Sequence, residues 1–426
     1  VTGVQTCALP ISTLVLALPF SSLHAEEKPV DVAIVGAGLA GLSTAYRLAK
    51  SGLTFKIIEL SPHIGGRIRT ASYPEGLHAE LGLEEFWEGN PTLEIIDELK
   101  VKKEKAATSF SSLFLDGKIK AFKQSSNKEF VQAVFHSEEV KKFRAWDSKM
   151  ILLYEETRKS PLSKSLLKLK EISFGEWIRK SSKLPKRVQN FIRIESEPEF
   201  AASWDSISAL DGIIEWHIFS GEGTPSYHIT GGNQRLTDAI AKHLGMENIV
   251  LNTKVTRIEQ NESGVLVNGV DQGTYEQKAF RAKYVVTTAP LFRLLEIQFI
   301  PPLEEKRKEA IRTQTWGSYF TAHVIANTEA ADLWGGNESG VMPILTDGPL
   351  GVVYGEIPKN ESKVLILNLL VHGAGHGLQR LSKPVRRVGH GRPVRGHRRY
   401  AIQRTQCRLG GRIHERQVRS INRQVR

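Results

Sequence analysis

The spacing that most clearly implies chemistry belongs to Gly36, Gly38 and Gly41, followed by Glu59 and then by Gly65, Gly66 and Arg67. A G-x-G-x-x-G run supplies what a pyrophosphate needs. Gly36 permits a tight turn, Gly38 lets a phosphate approach backbone amides, and Gly41 lets a helix lie close on a strand. The amides and dipole of a helix N-terminus favour the anion. Glu59 is placed to accept hydrogen bonds from ribose hydroxyls, which disfavours a 2′-phosphate and therefore NADP. The second glycine pair and Arg67 follow the acid directly, adding a cation over the same pyrophosphate.

These residues need a strand before them and a helix after them. Val30–Val35 is a short, β-branched, nearly continuous apolar run, as a buried parallel strand should be. Leu42, Ala45, Tyr46, Leu48 and Ala49 then recur at helical spacing, and Gly52 ends that helix. Phe55–Glu59 reads as the second strand, closing a complete β-α-β unit.

The Gly65-Gly66-Arg67-x-x-Thr70 element, the glycine fingerprint and Glu80-Leu81-Gly82 together resemble the flavin amine oxidase superfamily, which includes monoamine and polyamine oxidases, protoporphyrinogen oxidase and phytoene desaturases. The resemblance resumes at Tyr227–Leu236, which leads a helix with Leu236, Ile240 and Leu244 on one face, and at the strand Ile249–Ile258. There the family lays a Val against the adenine, here Val255. Gly264–Val267 reads as a hairpin partner and Lys283–Pro290 as a buried strand. The resemblance implies an α/β fold: a discontinuous Rossmann-type FAD-binding domain with a mixed α+β substrate domain. FAD-binding segments are expected at 28–90 and 225–300. The substrate domain is expected at 91–224, mainly helical, and at 301–377, mixed.

The implied cofactor is FAD, held by Gly36, Gly38, Gly41, Glu59, Gly65, Gly66, Arg67 and Val255. The implied reaction is hydride removal from a carbon next to nitrogen, with dioxygen as acceptor and a small amine as substrate. No Ser/His/Asp or paired-carboxylate constellation is evident, and no catalytic residue is assigned. Many family members place a Lys near the flavin where this chain has Thr321, a departure that leaves open a desaturase or porphyrinogen-type oxidase acting on C–C bonds. Trp204, Trp216, Trp316 and Tyr319 could line a pocket, although aromatic residues at that density are more often core. From another class, a non-catalytic nucleotide-binding fragment or a basic-tailed nucleic-acid binder stays open.

The net charge of +12 over 426 residues is unevenly placed. Residues 379–426 hold fourteen Arg and one Lys against a single Glu, a net of +14, which leaves −2 for residues 1–378. That tail has no hydrophobic period, as expected of a GC-rich, acidic gene read out of frame, so no nucleic-acid partner is expected. The family's C-terminal flavin loop is missing from it, so FAD should be held loosely by this sequence. Residues 1–11 resemble a translated sequencing adapter, and Ser12–Ala25 resembles the apolar and cleavage regions of a secretory signal. Export to periplasm or medium is the expectation, with the cytoplasm as the alternative. No run of eighteen apolar residues exists to form a membrane helix. Both cysteines, Cys7 and Cys407, fall in these ends, and His372 and His376 are separated by glycines, so no disulfide framework or metal site is expected.

Overall fold

In a computed structural model the described residues are 28–73, 78–106, 112–115, 118–121, 131–132, 134–220, 225–314, 316–317, 319–326, 344–347, 351–356 and 365–372. The adapter-like and signal-like residues, 1–27, and the Arg-rich tail, 378–426, lie outside them, as does His376. The chain divides into two compact units. Unit 1 takes the described residues up to Ile68 together with Leu236–Thr313, and unit 2 takes Arg69–Arg235 and the described residues from Gln314 onward.

Ten helices among the described residues are α1 (Leu39–Lys50), α2 (Thr92–Glu98), α3 (Ser137–Thr157), α4 (Lys164–Lys168), α5 (Phe174–Ser181), α6 (Lys186–Phe200), α7 (Ala209–Ser220), α8 (Gln234–Leu244), α9 (Leu291–Leu294) and α10 (Glu305–Thr313). None is long and apolar enough to cross a membrane.

Unit 1 is built on a seven-stranded sheet. Its strands are β1 (Val30–Val35), β2 (Phe55–Ile58), β10 (Ile249–Val250), β11 (Thr253–Asn261), β12 (Gly264–Asp271), β13 (Gln277–Thr287) and β14 (Gln298–Ile300). Their spatial order is β10-β2-β1-β13-β12-β11-β14. β10, β2, β1 and β13 run parallel, while β12 is antiparallel to both β13 and β11. The apolar run of β1 explains its central place, because Ala33 and Ile34 have no exposed surface. Asp31 staples the entry of this sheet. Its carboxylate accepts from Lys283 Nζ at 2.7 Å and from the Thr54 amide and hydroxyl at 2.9 and 2.7 Å. The Lys283 bond first, and the Thr54 bonds after it, hold that carboxyl well below the usual carboxylate range.

The single strand expected over Ile249–Ile258 is two strands. Asn252 adopts φ +54° between β10 and β11, so the chain pairs first with β2 and then turns to pair with β12. Asn is among the few residues that tolerate this left-handed conformation.

Unit 2 combines helices with three smaller sheets. A six-stranded sheet has the order β15 (Tyr319–Ala326), β18 (Leu365–His372), β17 (Val352–Glu356), β16 (Ile344–Thr346), β7 (Ser112–Leu115), β8 (Lys118–Ala121). A three-stranded sheet sets β9 (Ser226–Ile229) between β5 (Phe86–Trp87) and β6 (Lys103–Lys105), and β3 (Thr70–Ser72) pairs with β4 (His78–Glu80). The helical core gathers Phe143, Trp146, Met150, Trp177, Phe191, Ile192, Trp204 and Trp216. Trp204 and Trp216 therefore belong to core packing, whereas Trp316 is half exposed; the Tyr319 side chain is outside the described set. His372 is the last residue of β18.

Candidate cofactor site

Gly36 leaves β1 at φ +111°, and its amide donates to the Ile58 carbonyl at 2.8 Å. A Cβ there would lie 2.7 Å from Thr288 Oγ1. A Cβ on Gly41 would lie 1.9 Å from the Gly36 carbonyl oxygen, a separation no atom pair tolerates, so only glycine lets the first turn of α1 sit on this turn. Gly38 is the N-cap of α1; no side chain caps that end, and its first turn holds no acid.

The second glycine pair returns to the same place. Gly38 and Gly65 form a parallel bridge, and the Gly65 amide donates to the Ala37 carbonyl at 2.8 Å. A Cβ on Gly66 (φ +59°) would stand 3.0 Å from Gly38 Cα. Two glycine segments thus face each other backbone to backbone beside a helix N-terminus.

Glu59 sits at the joint of this cradle. Its Oε2 accepts from the Ala37 amide at 2.7 Å and its Oε1 from the Ser61 amide at 2.8 Å. Its own amide donates to the Val250 carbonyl, and its carbonyl accepts from the Thr253 amide, both at 2.8 Å. The acid read as a ribose acceptor is therefore also the clamp that fixes the cradle. Each oxygen keeps a further lone pair, so ribose hydroxyls fit in addition.

Arg67 is exposed and forms no hydrogen bond or ion pair with any described residue, leaving its guanidinium available to a phosphate. Val255 is buried on β11 in the cluster of Ala33, Val35 and Ile58, two residues from the Thr253 amide that bonds Glu59. The structure thus places all eight predicted residues in unit 1.

Two sets of contacts go beyond what the motifs themselves state. Thr288, just after β13, donates its amide to the Val35 carbonyl at 2.9 Å, and its hydroxyl to the carbonyls of Val35 and Gly36 at 3.0 and 3.2 Å. It pins the turn that Gly36 makes. In unit 2, Glu80 accepts from the Thr70 hydroxyl at 2.9 Å and the Asn233 amide at 2.8 Å. Asn233, with no exposed surface, accepts from the Ile229 amide and donates to the carbonyls of Leu83 and Glu84. Thr321 is half-buried on β15, opposite Leu370.

A parallel β-α-β core with a pyrophosphate cradle at the helix N-terminus and an acid closing the second strand defines a Rossmann-type dinucleotide-binding protein. The comparison with known families gives the class its name. The flavin containing amine oxidoreductase family model matches residues 39–387, and the chain belongs to that family. Its cofactor is accordingly FAD.

Among curated relatives, "Probable flavin-containing monoamine oxidase A" of Dictyostelium discoideum is 23% identical over 81% of this chain and 75% of its own length. The L-amino-acid oxidase of Bothrops pauloensis is 27% identical over 70% of this chain and 59% of its own length. This chain thus spans less than two thirds of the snake enzyme. Among solved structures, putrescine oxidase bound to putrescine shares 22% identity at a TM-score of 0.67, over 81% of this chain and 76% of that one. Cyclohexylamine oxidase from Brevibacterium oxydans shares 19% at 0.68, over 84% and 78%.

Proposed function

We propose that this protein oxidises a small amine, with FAD as its redox cofactor and dioxygen as acceptor. The observation that carries the reading is the double-glycine cradle clamped by Glu59, in a chain of the flavin containing amine oxidoreductase family. The residues present fit the cofactor. The α1 N-terminus and the facing backbones of Gly38 and Gly66 suit a pyrophosphate, Arg67 adds a cation, and Glu59 suits a ribose. The isoalloxazine supplies the redox chemistry when bound, and the protein supplies binding and orientation.

Unit 2 is read as the substrate domain. Relatives whose names specify monoamines, putrescine or cyclohexylamine support an amine over a C–C substrate, and no observation favours a desaturase. Residues 12–25 support export as the destination.

The test is reconstitution of the full chain with excess FAD, followed by anaerobic addition of an alkylamine. Expected are a flavin absorbance band that is saturable in FAD, its bleaching by the amine, and its return with hydrogen peroxide on admitting air. A bound flavin that no amine bleaches would overturn the reading.

A further inference from the structure

Unit 2 holds a cleft that the cofactor cradle does not use. It lies between α3 and the end of α5 and has a volume of about 290 Å³. α3 contributes Lys142, Ala145, Trp146 and Lys149, whose i, i+3, i+4, i+7 spacing puts them on one face of that helix. Across from them come Trp177 and Ser181 of α5, followed by Ser182 and Lys183.

The charge of this cleft has one sign. Lys142, Lys149 and Lys183 are exposed and form no hydrogen bond or ion pair with any described residue. No described acid lines the cleft. Acids on the same elements and on the turn beside α5 are engaged elsewhere: Glu176 pairs with Lys180, Asp205 pairs with Arg179 at 2.6 Å, and Asp147 accepts from Trp216 Nε1 at 2.8 Å. A cleft lined by one sign of charge focuses its field and concentrates counter-ions. The C-terminal end of α5 would oppose an anion, since the last carbonyls of a helix carry partial negative charge. Two of these carbonyls are taken. The Ser181 hydroxyl donates to that of Trp177, and the amide and hydroxyl of Ser182 both donate to that of Ile178.

The kind of anion follows from the donors. Lysine ammoniums are mobile point charges suited to a phosphate dianion, whereas the planar fork of arginine matches a carboxylate, and no described arginine lines the cleft. The apolar lining is Ala145 with the indoles of Trp146 and Trp177, which suits a flat ring. The volume lies at the small end of ligand pockets, matching one ring and its phosphate rather than a dinucleotide.

We propose that this cleft binds a small aromatic phosphate monoester, with Lys142, Lys149 and Lys183 holding the phosphate and Ala145, Trp146 and Trp177 meeting the ring. All of these residues belong to unit 2.

The test is isothermal titration calorimetry of the full chain in saturating FAD, with phenyl phosphate, inorganic phosphate and benzoate as ligands. Expected is one-to-one binding of phenyl phosphate, about tenfold tighter than either of the other two. Lys142→Gln and Lys183→Gly should each weaken phenyl phosphate about tenfold. Lys183 has φ +51°, a conformation that glycine adopts freely, and Lys142 lies on an exposed helix face, so both variants should keep the melting temperature of the unmodified chain. Inorganic phosphate binding as tightly as phenyl phosphate overturns the contact with a ring, and benzoate binding as tightly overturns the phosphate preference. Phenyl phosphate affinity unchanged in both variants places the ligand elsewhere and overturns the site. Calorimetry reads binding without turnover, so none of these outcomes depends on whether the protein oxidises an amine.

Discussion

Single residues in the cradle differ sharply in what they tolerate. Gly41→Ala sets a methyl 1.9 Å from a backbone oxygen that cannot rotate away. It should cost at least the ~1–3 kcal/mol typical of an overpacked core and should abolish FAD binding, read by thermal melting and by fluorescence titration with FAD. Gly52→Ala is the contrast. Its φ is +71° but nothing lies within 4 Å of the added Cβ, so only backbone strain of about 1–2 kcal/mol applies, and FAD binding should survive. Thr288→Val removes the hydroxyl donor shared by two turn carbonyls. It should weaken FAD binding several-fold at a stability cost of about 1 kcal/mol, measured by fluorescence titration. The glycines were legible because their spacing is itself the signal. Thr288 was not, because it meets the turn from a strand some 250 positions away, a separation that no local pattern encodes.

Elements show the same division. α1, α5 and α8 follow their apolar periodicity, with Leu42, Ala45 and Tyr46, then Phe174, Trp177 and Ile178, then Leu236, Ile240 and Leu244 all buried. In α2 the buried face is Thr92, Ile95 and Ile96. α6 departs most. Pattern reasoning sends charged residues to solvent, yet Glu195 and Glu197 are buried. Burial first, then repulsion from Asp147 and Glu199, pushes Glu195 up to about 8; burial first, then Glu85 and Glu215, does the same for Glu199. Folding therefore binds protons at these two sites that the unfolded chain has already released above its ordinary carboxyl range. Their contribution to stability is present at low pH and is lost as pH rises toward about 8, with little further change above it. The melting temperature should fall between pH 6 and pH 8.5, and Glu195→Gln, which cannot ionise, should flatten that fall, as read by circular dichroism. An unchanged slope in the variant would show that Glu195 does not titrate across this window.

At the scale of the whole molecule, the chain leaves unit 1 at Ile68 and returns at Leu236, so unit 2 begins as an insertion. Within unit 2 the two ends of that insertion are tied together. The Thr70 amide donates to Gln234 Oε1 at 3.2 Å, and the Gln234 amide donates to the Thr70 hydroxyl oxygen at 3.1 Å. Glu80 joins both neighbours by accepting from the Thr70 hydroxyl and the Asn233 amide. Unit 1 has a matching closure in Glu59, which ties the loops after β1, β2 and β10 to one another. Each unit therefore has its own hydrogen-bonded frame, and a ligand held by one frame stabilises that frame by mass action. FAD at about a hundred times its dissociation constant adds roughly 2.7 kcal/mol to whatever unit binds it. Scanning calorimetry of the full chain should then show two transitions, only one of them raised by FAD. If FAD raises a single transition of the whole chain, the two units melt as one body. If FAD raises neither, the cradle around Gly36, Gly38 and Gly66 does not hold the cofactor for which its geometry is suited.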